Sequence, residues 1–560
     1  MIRNRLRFFF PPMQVCLIPL LAGLCGFAKG VEARDAKIPE QPVPPSAETQ
    51  QKLFIREFRV LGTQTLPRIE VEEAVYPFLG PGRTFDDVEK ARAALEKKYH
   101  DKGYKATQVV IPEQTGGGGL VLLQAYEGKV GSLRVKGAKY FLPSRIKQMA
   151  RSMAEGKVLN FNDVQRDIVA LNQGADRRVE PKLTPSGEPG VFDIDLNVKD
   201  TLPLHGRVEL NNRRSANTTD LRLNTSLSYT NLWQLGHTIG GSMQLSPENQ
   251  SEVKVFSGFY IWRMRDPDWL SVLVSYTKQD SNVSSLGGST VLGKGEILGV
   301  RGIATLPGTE NFFHSLSAGF DYKHFNQTLN TGTASDVTPI FYYPVSLSWD
   351  GTWIHKKDEK VRGTTEMSAG VTANLRGLGS SAANLDRNRF GSDGNFFYFR
   401  GEVAHTQKLR NDWEAFLKVH GQASDQPLVN SEQVAGGGMG TVRGYIEAEA
   451  VGDNGIFSTV ELRTPSLLRE VRRKGDAKNP DDRTGDEWRI YGFFDAGAIT
   501  LHKALAQQTS SFQLASFGIG TELQLRKHFH AIAELALPLT GIGETSVHEA
   551  RVNFRLWADF

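Results

Sequence analysis

The stretch from Gly436 to Tyr445 is the part of this chain whose residue types most directly suggest a chemical task. It reads Gly-Gly-Gly-Met-Gly-Thr-Val-Arg-Gly-Tyr and places Arg443 among glycines that let the backbone fold tightly around it. If the loop is withdrawn from water, the guanidinium needs a carboxylate partner. If it is a flexible surface loop, the arginine is simply solvated. The decapeptide alone leaves both interpretations open.

Other patterns that could support catalysis or cofactor binding are incomplete. Residues 288–294 match the start of a phosphate loop, but Gly295 stands where Ser or Thr would bind the metal. The sequence contains no Gly-x-Ser-x-Gly elbow of the hydrolase type. His528 and His530 could share a metal, although such isolated pairs are more often polar surface or lumen residues. We therefore predict no enzyme activity, no catalytic residue, no metal and no cofactor.

Length and composition narrow the class of protein. A chain of 560 residues is too long for one ordinary domain, so two or three units are expected. The net charge of only +4 gives no sign of a nucleic-acid partner. The mean hydropathy of −0.33 excludes a helical membrane protein but is compatible with a membrane β-barrel, because half of each barrel strand faces water.

The N-terminus predicts export. Residues 1–30 read as a signal peptide whose apolar run, 13–24, is too short for a membrane anchor. A basic region precedes the run and small residues suited to cleavage follow it: Arg3, Arg5, Arg7, and Gly26, Ala28, Gly30. Cys16 and Cys25 both lie in this segment, so the exported chain would have no thiol, which suits an oxidising periplasm. Residues 31–51 are polar and proline-bearing, and we expect an extended linker there.

An internal repeat of about 75 residues follows the linker. Residues 58–62 are echoed by 133–137, and residues 85–95 by 161–171. The first pair predicts a strand that ends at a glycine. The second pair predicts an amphipathic helix, capped in the first copy by a box of Thr84 with Asp87 and in the second by Asn160.

Two further strands close each copy of the repeat. They are predicted at 105–112 and 120–126 in the first copy and at 177–184 and 191–198 in the second. With a shorter helix before the capped one, each copy has the order β-α-α-β-β, which is enough for a small two-layer module with an open sheet edge. The domain boundaries are expected at 52–128 and 129–201.

In residues 202–560 the sequence consists of short segments in which apolar and polar residues alternate, as expected of an all-β domain. In 413–422 the apolar residues oppose Glu414, Lys418, His420 and Gln422, and Phe416 is the one exception. We count about sixteen such segments at an average spacing of about 22 residues, which favours a membrane barrel over a soluble sandwich. The final segment, 551–560, ends on apolar Phe560, which we expect to close the barrel. Aromatic clusters at 259–262, 342–343 and 396–398 are either interface girdles or ordinary strand aromatics.

A resemblance becomes specific around the glycine-rich loop. The motifs Ser431-Glu432-Gln433, Val442-Arg443-Gly444-Tyr445 and Gly452-Asp453 resemble the transporters of two-partner secretion, the TpsB family, which are grouped with the BamA-like barrels. A second signature, Phe-x-Asp-x-Gly, appears as residues Phe493 to Gly497 with Asp495 at its centre. The two signatures stand in the family's order and at its distance from the C-terminus. The tripeptide Val-Arg-Gly alone is weak, since it also occurs at 300–302 and 361–363.

The resemblance covers the whole mature chain and implies its architecture. It implies two POTRA (polypeptide-transport-associated) domains, formed by the repeat, followed by a 16-stranded transmembrane β-barrel in the outer membrane of a Gram-negative cell. It implies that Arg443 meets Asp495 on the barrel wall. In a hydrated lumen such a pair stabilises by about 1 kcal/mol, and by more if the loop shields it. The family often has a plug helix before the POTRA domains, for which residues 31–51 leave little room.

The function implied by the resemblance is translocation of a large secreted partner protein of the TpsA kind. The POTRA pair would face the periplasm and capture an extended segment of the partner, and the barrel would form the pore in outer-membrane lipid. The nearest alternative is a factor that assembles other barrels with the same fold. A passive pore for small solutes is a third, disfavoured because it needs no peptide-binding domains. The sequence is compatible with a monomer and does not determine the oligomeric state.

Overall fold

The structure is a computed structural model of the chain, and it describes residues 52–560 except 115–117, 265–266, 268, 282, 285–290, 332–333, 359 and 469–485. The predicted signal peptide and linker therefore lie outside the described residues. The chain divides into two compact units, with the division between Pro203 and Leu204.

The first module of the N-terminal unit is a three-stranded sheet with two helices. Its strands lie in the order β2–β5–β4, with β2 parallel and β4 antiparallel to β5. A separate two-stranded sheet, β1 with β3, was not predicted. The elements are β1 Leu53–Ile55, β2 Glu57–Leu61, α1 Arg68–Val75, β3 Gly80–Arg83, α2 Phe85–Asp101, β4 Gln108–Val110 and β5 Leu120–Tyr126. Strand β4 is shorter than the predicted 105–112.

The second module repeats this arrangement. Its sheet has the order β6–β8–β7, again with one parallel and one antiparallel pair. Its elements are β6 Lys129–Lys136, α3 Pro143–Met149, α4 Phe161–Leu171, β7 Arg177–Pro185 and β8 Val191–Asp200. The predicted order β-α-α-β-β is therefore present in both modules. The boundaries at 128/129 and 201/202 stay predictions.

The repeated sequence features have the same physical role in both modules. Gly62 and Gly137, which end β2 and β6, have φ of +82° and +84°, a region that residues with a Cβ rarely adopt. The capping box of Thr84 with Asp87 is formed at the start of α2, and Asn160 Oδ1 accepts from the backbone N of Asn162, at 3.0 Å, at the start of α4. The apolar face of each helix enters its own core.

Residues from Leu204 onward form a closed antiparallel barrel of sixteen strands. Strands β18 and β19 are two parts of one barrel strand, because both pair with β17 in one continuous register. The first half of the wall is β9 Leu204–Asn211, β10 Arg222–Leu232, β11 His237–Leu245, β12 Lys254–Arg263, β13 Leu270–Asp280, β16 Lys294–Leu306, β17 Phe312–Thr331, β18 Ala334–Tyr342 and β19 Val345–Lys357. The second half is β20 Lys360–Asn374, β21 Phe396–Lys408, β22 Glu414–Ser424, β25 Asn454–Arg463, β26 Glu487–Thr500, β27 Ser511–Leu525, β28 Phe529–Pro538 and β29 Arg551–Asp559.

Four short strands and one helix of this unit lie outside the wall. They are the pair β14 Val283–Ser284 and β15 Val291–Leu292, the pair β23 Val434–Gly436 and β24 Ala450–Gly452, and α5 Ala382–Asn388. The sequence predicted no helix after residue 204. Helix α5 is a single short element, begun by Ser381, whose side chain accepts from the backbone N of Asn384.

Burial in the barrel is inverted relative to a soluble protein. On β22 the apolar Leu417 and Val419 are exposed, whereas the charged Glu414 and Lys418 are buried. On β29 the apolar Val552 is exposed and Asn553 is buried. The alternation read from the sequence therefore predicts which face is outside, and an apolar exterior with a polar interior is the arrangement that lipid requires.

The aromatic clusters divide between the two faces rather than forming a simple girdle. Tyr342, Phe396 and Tyr398 are buried inside the barrel, whereas Tyr343 and Phe397 are exposed. Period-two alternation explains the split, since neighbours in a strand point to opposite faces. Among the described residues, no helix has the length and apolar character needed to cross a membrane.

Candidate functional site

A hairpin inside the barrel carries the glycine-rich stretch. Its arms are β23 and β24, paired from Val434–Gly452 to Gly436–Ala450; residues 434–452 are called the lumen hairpin below. Gly437 and Gly438 have φ of +102° and +90°. A Cβ on Gly437 would strike the Ile446 carbonyl, and one on Gly438 would strike the Glu447 carboxylate. Both positions therefore require glycine, on conformational and steric grounds.

Arg443 and Asp495 are in direct contact. The backbone N and Nε of Arg443 donate to Asp495 Oδ2 at 3.1 and 2.7 Å, and Nη2 donates to Oδ1 at 2.7 Å. Arg443 is 1% exposed and Asp495 is fully buried. Strand β26 presents Asp495 inward, on the face that it shares with Phe493 and Gly497.

Two further carboxylates and an aromatic ring complete the surroundings of Arg443. Nη1 donates to Glu461 Oε1 on β25 at 2.8 Å and to Glu534 Oε1 on β28 at 3.1 Å. The guanidinium carbon lies 3.5 Å from the centre of the Phe493 ring, within the range of a cation–π interaction. One arginine of the hairpin thus binds three strands of the wall.

The carboxylates have partners of their own. Arg463 donates to Glu461 Oε2 from Nε at 2.9 Å and from Nη2 at 2.6 Å. The Tyr491 hydroxyl donates to Glu534 Oε1 at 2.6 Å. The site is therefore a buried, connected network. Arg443 and Asp495 are shielded from water by their surroundings and do not form a hydrated ion pair. Removing one member of such a network leaves an uncompensated buried charge.

The other residues of the signature also contact the wall. The Tyr445 hydroxyl lies 2.7 Å from the Thr540 carbonyl oxygen, to which it donates, and Gly444 N donates to Ser516 Oγ at 3.2 Å. Val442 packs in an apolar cluster with Tyr445. A Cβ on Gly497 would lie 2.5 Å from the Phe457 ring and 3.3 Å from Val442, so this glycine leaves space for the Phe457 ring beside the hairpin.

Phe560 follows β29 at the seam with β9. Its backbone N and O exchange hydrogen bonds with O and N of Gly206, both at 3.0 Å. The residue is 63% exposed. The residue thus extends the pairing between the last and first barrel strands.

A second buried network was not anticipated from the residues alone. Glu432, just before the lumen hairpin, is 1% exposed. It accepts hydrogen bonds from Lys323 Nζ at 2.6 Å, from the Tyr342 hydroxyl at 2.6 Å and from the Tyr398 hydroxyl at 2.7 Å. The motif Ser431-Glu432-Gln433 was a visible signal, but its partners on β17, β18 and β21 are distant in sequence. This network anchors the root of the hairpin, whereas Arg443 anchors its tip.

Asp453 fastens the end of the hairpin. Its Oδ1 accepts from the backbone N of Leu428 at 2.9 Å and from Gln433 Nε2 at 3.1 Å. Its Oδ2 accepts from the backbone N of His502 at 2.7 Å. Asp453 is fully buried. The carboxylate therefore ties the chain entering the hairpin to the loop after β26.

The histidine pair near the C-terminus does not converge on a metal site. The His530 ring stacks on Trp557 with ring centres 4.8 Å apart. The His528 ring nitrogen Nδ1 lies 2.9 Å from the Asp559 carbonyl oxygen. Within the described residues no group of three or more His, Cys, Asp or Glu side chains is arranged to hold a metal ion.

Comparison with protein-family models identifies two segments. Residues 53–128 match the POTRA domain of ShlB type. Residues 346–523 match the haemolysin secretion/activation protein family ShlB/FhaC/HecB. The second match contains both Arg443 and Asp495.

Curated relatives and solved structures agree with these models. The chain is 27% identical over 200 residues to the outer membrane transporter CdiB of Escherichia coli O6:K15:H31, covering 35% of this chain and 34% of that protein. The match thus spans about a third of this relative's length. The chain is 20% identical over 431 residues to CdiB of Dickeya dadantii, covering 73% and 72%. The solved structure of CdiB from Escherichia coli has a TM-score of 0.61 at 19% identity, covering 94% of each chain, and shows the fold.

Proposed function

We propose that this chain, which belongs to the TpsB family of the Omp85 superfamily, translocates a partner exoprotein across the outer membrane by two-partner secretion. The observation that carries the proposal is the lumen hairpin, which is held inside a closed barrel by polar contacts at its root and tip. Such contacts form a discrete, releasable state, because they are specific and can be exchanged for contacts with water or with a passing chain.

The barrel is the outer-membrane part of this transporter, and the POTRA modules face the periplasm. We propose that the exposed apolar side chains of the wall, such as Leu417 and Val552, contact lipid directly. We also propose that the chain acts as a monomer and is not an enzyme. The relatives named above are transporters, which supports the second point.

The POTRA modules supply a site for an extended segment of the partner by β-augmentation, in which backbone pairing gives affinity. Three of the four sheet edges are partly covered. On β4, Val109 N donates to Glu96 at 3.1 Å; on β7, Val179 N donates to Asn172 at 2.6 Å; on β6, Val130 N donates to the Lys157 carbonyl at 2.9 Å. The outer edge of β2 has no comparable partner among the described residues. This supports β2 as the edge that receives the partner.

In the proposed mechanism the hairpin holds the pore closed until the partner enters. The captured chain passes through the barrel as the hairpin moves and Arg443 leaves its three carboxylates. Folding of the partner outside the cell supplies the direction of transport, since a folded chain does not return through the pore.

The test is a secretion assay with a candidate partner, chosen as a large exoprotein whose gene neighbours the gene of this chain. Arg443→Ala and Asp495→Ala are expected to lower secretion and to change pore conductance in planar bilayers. Normal secretion and unchanged conductance in both variants would remove the role of the pair. If deletion of the gene for this chain removed unrelated barrel proteins from the outer membrane, that result would instead favour a function as a barrel-assembly factor.

A further inference from the structure

The first and last barrel strands are paired along only part of their length. The ladder between β9 and β29 runs from Asn211–Arg555 to Arg207–Asp559 and continues to Gly206–Phe560. Strand β29 begins four residues before Arg555, at Arg551. The stretch 551–554 therefore lies beyond the regular ladder, at an edge where unpaired backbone groups are costly in lipid.

Asn212 continues the link beyond the regular ladder, through its side chain and through its backbone N, which donates to the Phe554 carbonyl at 3.4 Å. Asn212 Nδ2 donates to the Val552 carbonyl at 2.7 Å, and its Oδ1 accepts from the backbone N of Phe554 at 2.8 Å. The amide thus supplies one donor and one acceptor, as a strand residue would. It keeps β29 attached to β9 where the two backbones separate.

The chain after Asn212 then pairs with the lumen hairpin. Arg213 donates to Glu447 from Nε at 2.7 Å and from Nη2 at 3.1 Å, and the two side chains are 10% and 4% exposed. The backbone N of Glu447 donates to the Arg214 carbonyl at 2.9 Å, and Ser215 forms a parallel bridge with Glu447. The hairpin therefore takes the place of β29 as the neighbour of the first strand.

The same hairpin is also bonded to the other side of the seam. Asn553 Nδ2, on β29, donates to the Arg443 carbonyl at 2.9 Å. Glu449 accepts from Thr545, in the connection between β28 and β29, through Oγ1 at 2.6 Å and the backbone N at 2.8 Å. The hairpin thus bridges the first and last strands from inside.

We propose that Glu447 is a positioning residue that ties the first barrel strand to the lumen hairpin, so that the 211–215 end of the seam loosens whenever the hairpin leaves its site. With Glu447 withdrawn, Asn212 alone holds 551–554 to the first strand, and Arg213 loses a bidentate partner in a buried position. Pairing of the first and last strands and seating of the hairpin in the lumen are then coupled, so that a change in one shifts the other. This coupling is a property of the barrel and its hairpin, so it goes beyond the proposed export function and does not depend on which protein is exported.

Hydrogen exchange of the full-length protein in lipid nanodiscs tests the proposal. Glu447→Ala is expected to speed exchange about tenfold in peptides covering 211–216 and 551–554, and to leave 555–560 unchanged. The matched control is Glu449→Ala, which removes a carboxylate of the same hairpin that accepts from Thr545 and from the hairpin's own Ile446 N, at 3.1 Å, rather than from Arg213. Equal effects of the two variants at 211–216, or no effect of Glu447→Ala there, would overturn the proposal.

A charge swap and a distant variant guard against a simple folding defect. The double variant Arg213→Glu with Glu447→Arg is expected to recover at least part of the protection that each single variant loses. Arg443→Ala, whose side chain does not contact β9, is expected to speed exchange both in the hairpin and at 211–216. Faster exchange in the hairpin with unchanged exchange at 211–216 would show that the two are independent and would refute the coupling.

Discussion

Arg443 and Asp495 are joined by three hydrogen bonds across 52 residues of chain, and one of the three comes from the backbone of Arg443. The side-chain bonds fix the guanidinium plane, and the backbone bond fixes the turn that carries it. Asp495 therefore positions the peptide as well as neutralising the charge.

Arg443→Lys is expected to behave almost like Arg443→Ala. A lysine ammonium is a point charge that cannot make the forked contact with Asp495 while also reaching Glu461 and Glu534. We expect a loss of about 3–5 kcal/mol in the stability of the closed hairpin, seen as a higher open probability in single-channel recordings. The matched control is Arg301→Lys, since Arg301 pairs with Asp321 on the wall and is 31% exposed there. Recordings of Arg443→Lys that match the unsubstituted protein would contradict the forked geometry.

Glu432→Gln is expected to release the root of the hairpin without disturbing its tip. The substitution leaves the Lys323 ammonium buried without its carboxylate, which costs several kcal/mol. We expect faster protease cleavage between 425 and 436 in the folded barrel, with exchange at Arg443 little changed. Glu402→Gln serves as control, because Glu402 also pairs with a lysine, Lys418, but is 37% exposed. Similar cleavage of both variants would argue against a special role for Glu432.

Gly444→Ala is expected to push the hairpin tip away from the wall. The new Cβ would lie 2.8 Å from Ser516 Cβ and 3.1 Å from Pro538 N, with backbone on one side that cannot yield easily. Overpacking of this kind costs about 1–3 kcal/mol. Gly492→Ala is the matched control, because nothing lies within 4 Å of a Cβ placed there. Thermal unfolding in detergent should separate the two, and an unaltered midpoint for Gly444→Ala would count against tight seating.

Glu127→Ala is expected to destabilise the first POTRA module. Glu127 Oε1 accepts from the backbone N of Gln64 at 2.7 Å, from that of Thr65 at 2.9 Å and from the Tyr99 hydroxyl at 3.0 Å. Burial raises the pKa of the Tyr99 phenol, and the adjacent Glu127 raises it further, so the hydroxyl stays protonated and donates. We expect a loss of about 3 kcal/mol, measured as faster proteolysis of residues 52–128.

The control for this variant is Glu57→Ala. Glu57 is on the same module, but its side chain is 55% exposed and pairs with Arg59, which is 53% exposed. Its removal is expected to change stability by less than about 0.5 kcal/mol. If both variants are cleaved at the same rate, the buried carboxylate does not hold the module together as we infer.

Much of the fold could be read from local patterns. The alternation in 413–422, where Phe416 is the exception, and in 551–560 separated the two faces of the strands, because strand geometry places successive residues on opposite faces. The glycine that ends β2 and β6 and the caps of α2 and α4 were visible because they depend only on neighbouring residues. The resemblance to the TpsB family and to POTRA domains is confirmed by the family models.

The chain by itself determined the class of its elements, their order and the two signatures that contain Arg443 and Asp495. It did not contain the contacts of the neighbouring acids: Glu461 and Glu534 are inward-facing acids in their own strands, and Glu432 lies in the short turn before the hairpin. Their roles arise only when the wall closes and brings strands from distant parts of the chain to one point of the lumen. Tertiary structure alone decided that the arginine is buried rather than hydrated and that the hairpin spans the seam, because strand pairing and burial are properties of the closed barrel and not of any segment within it.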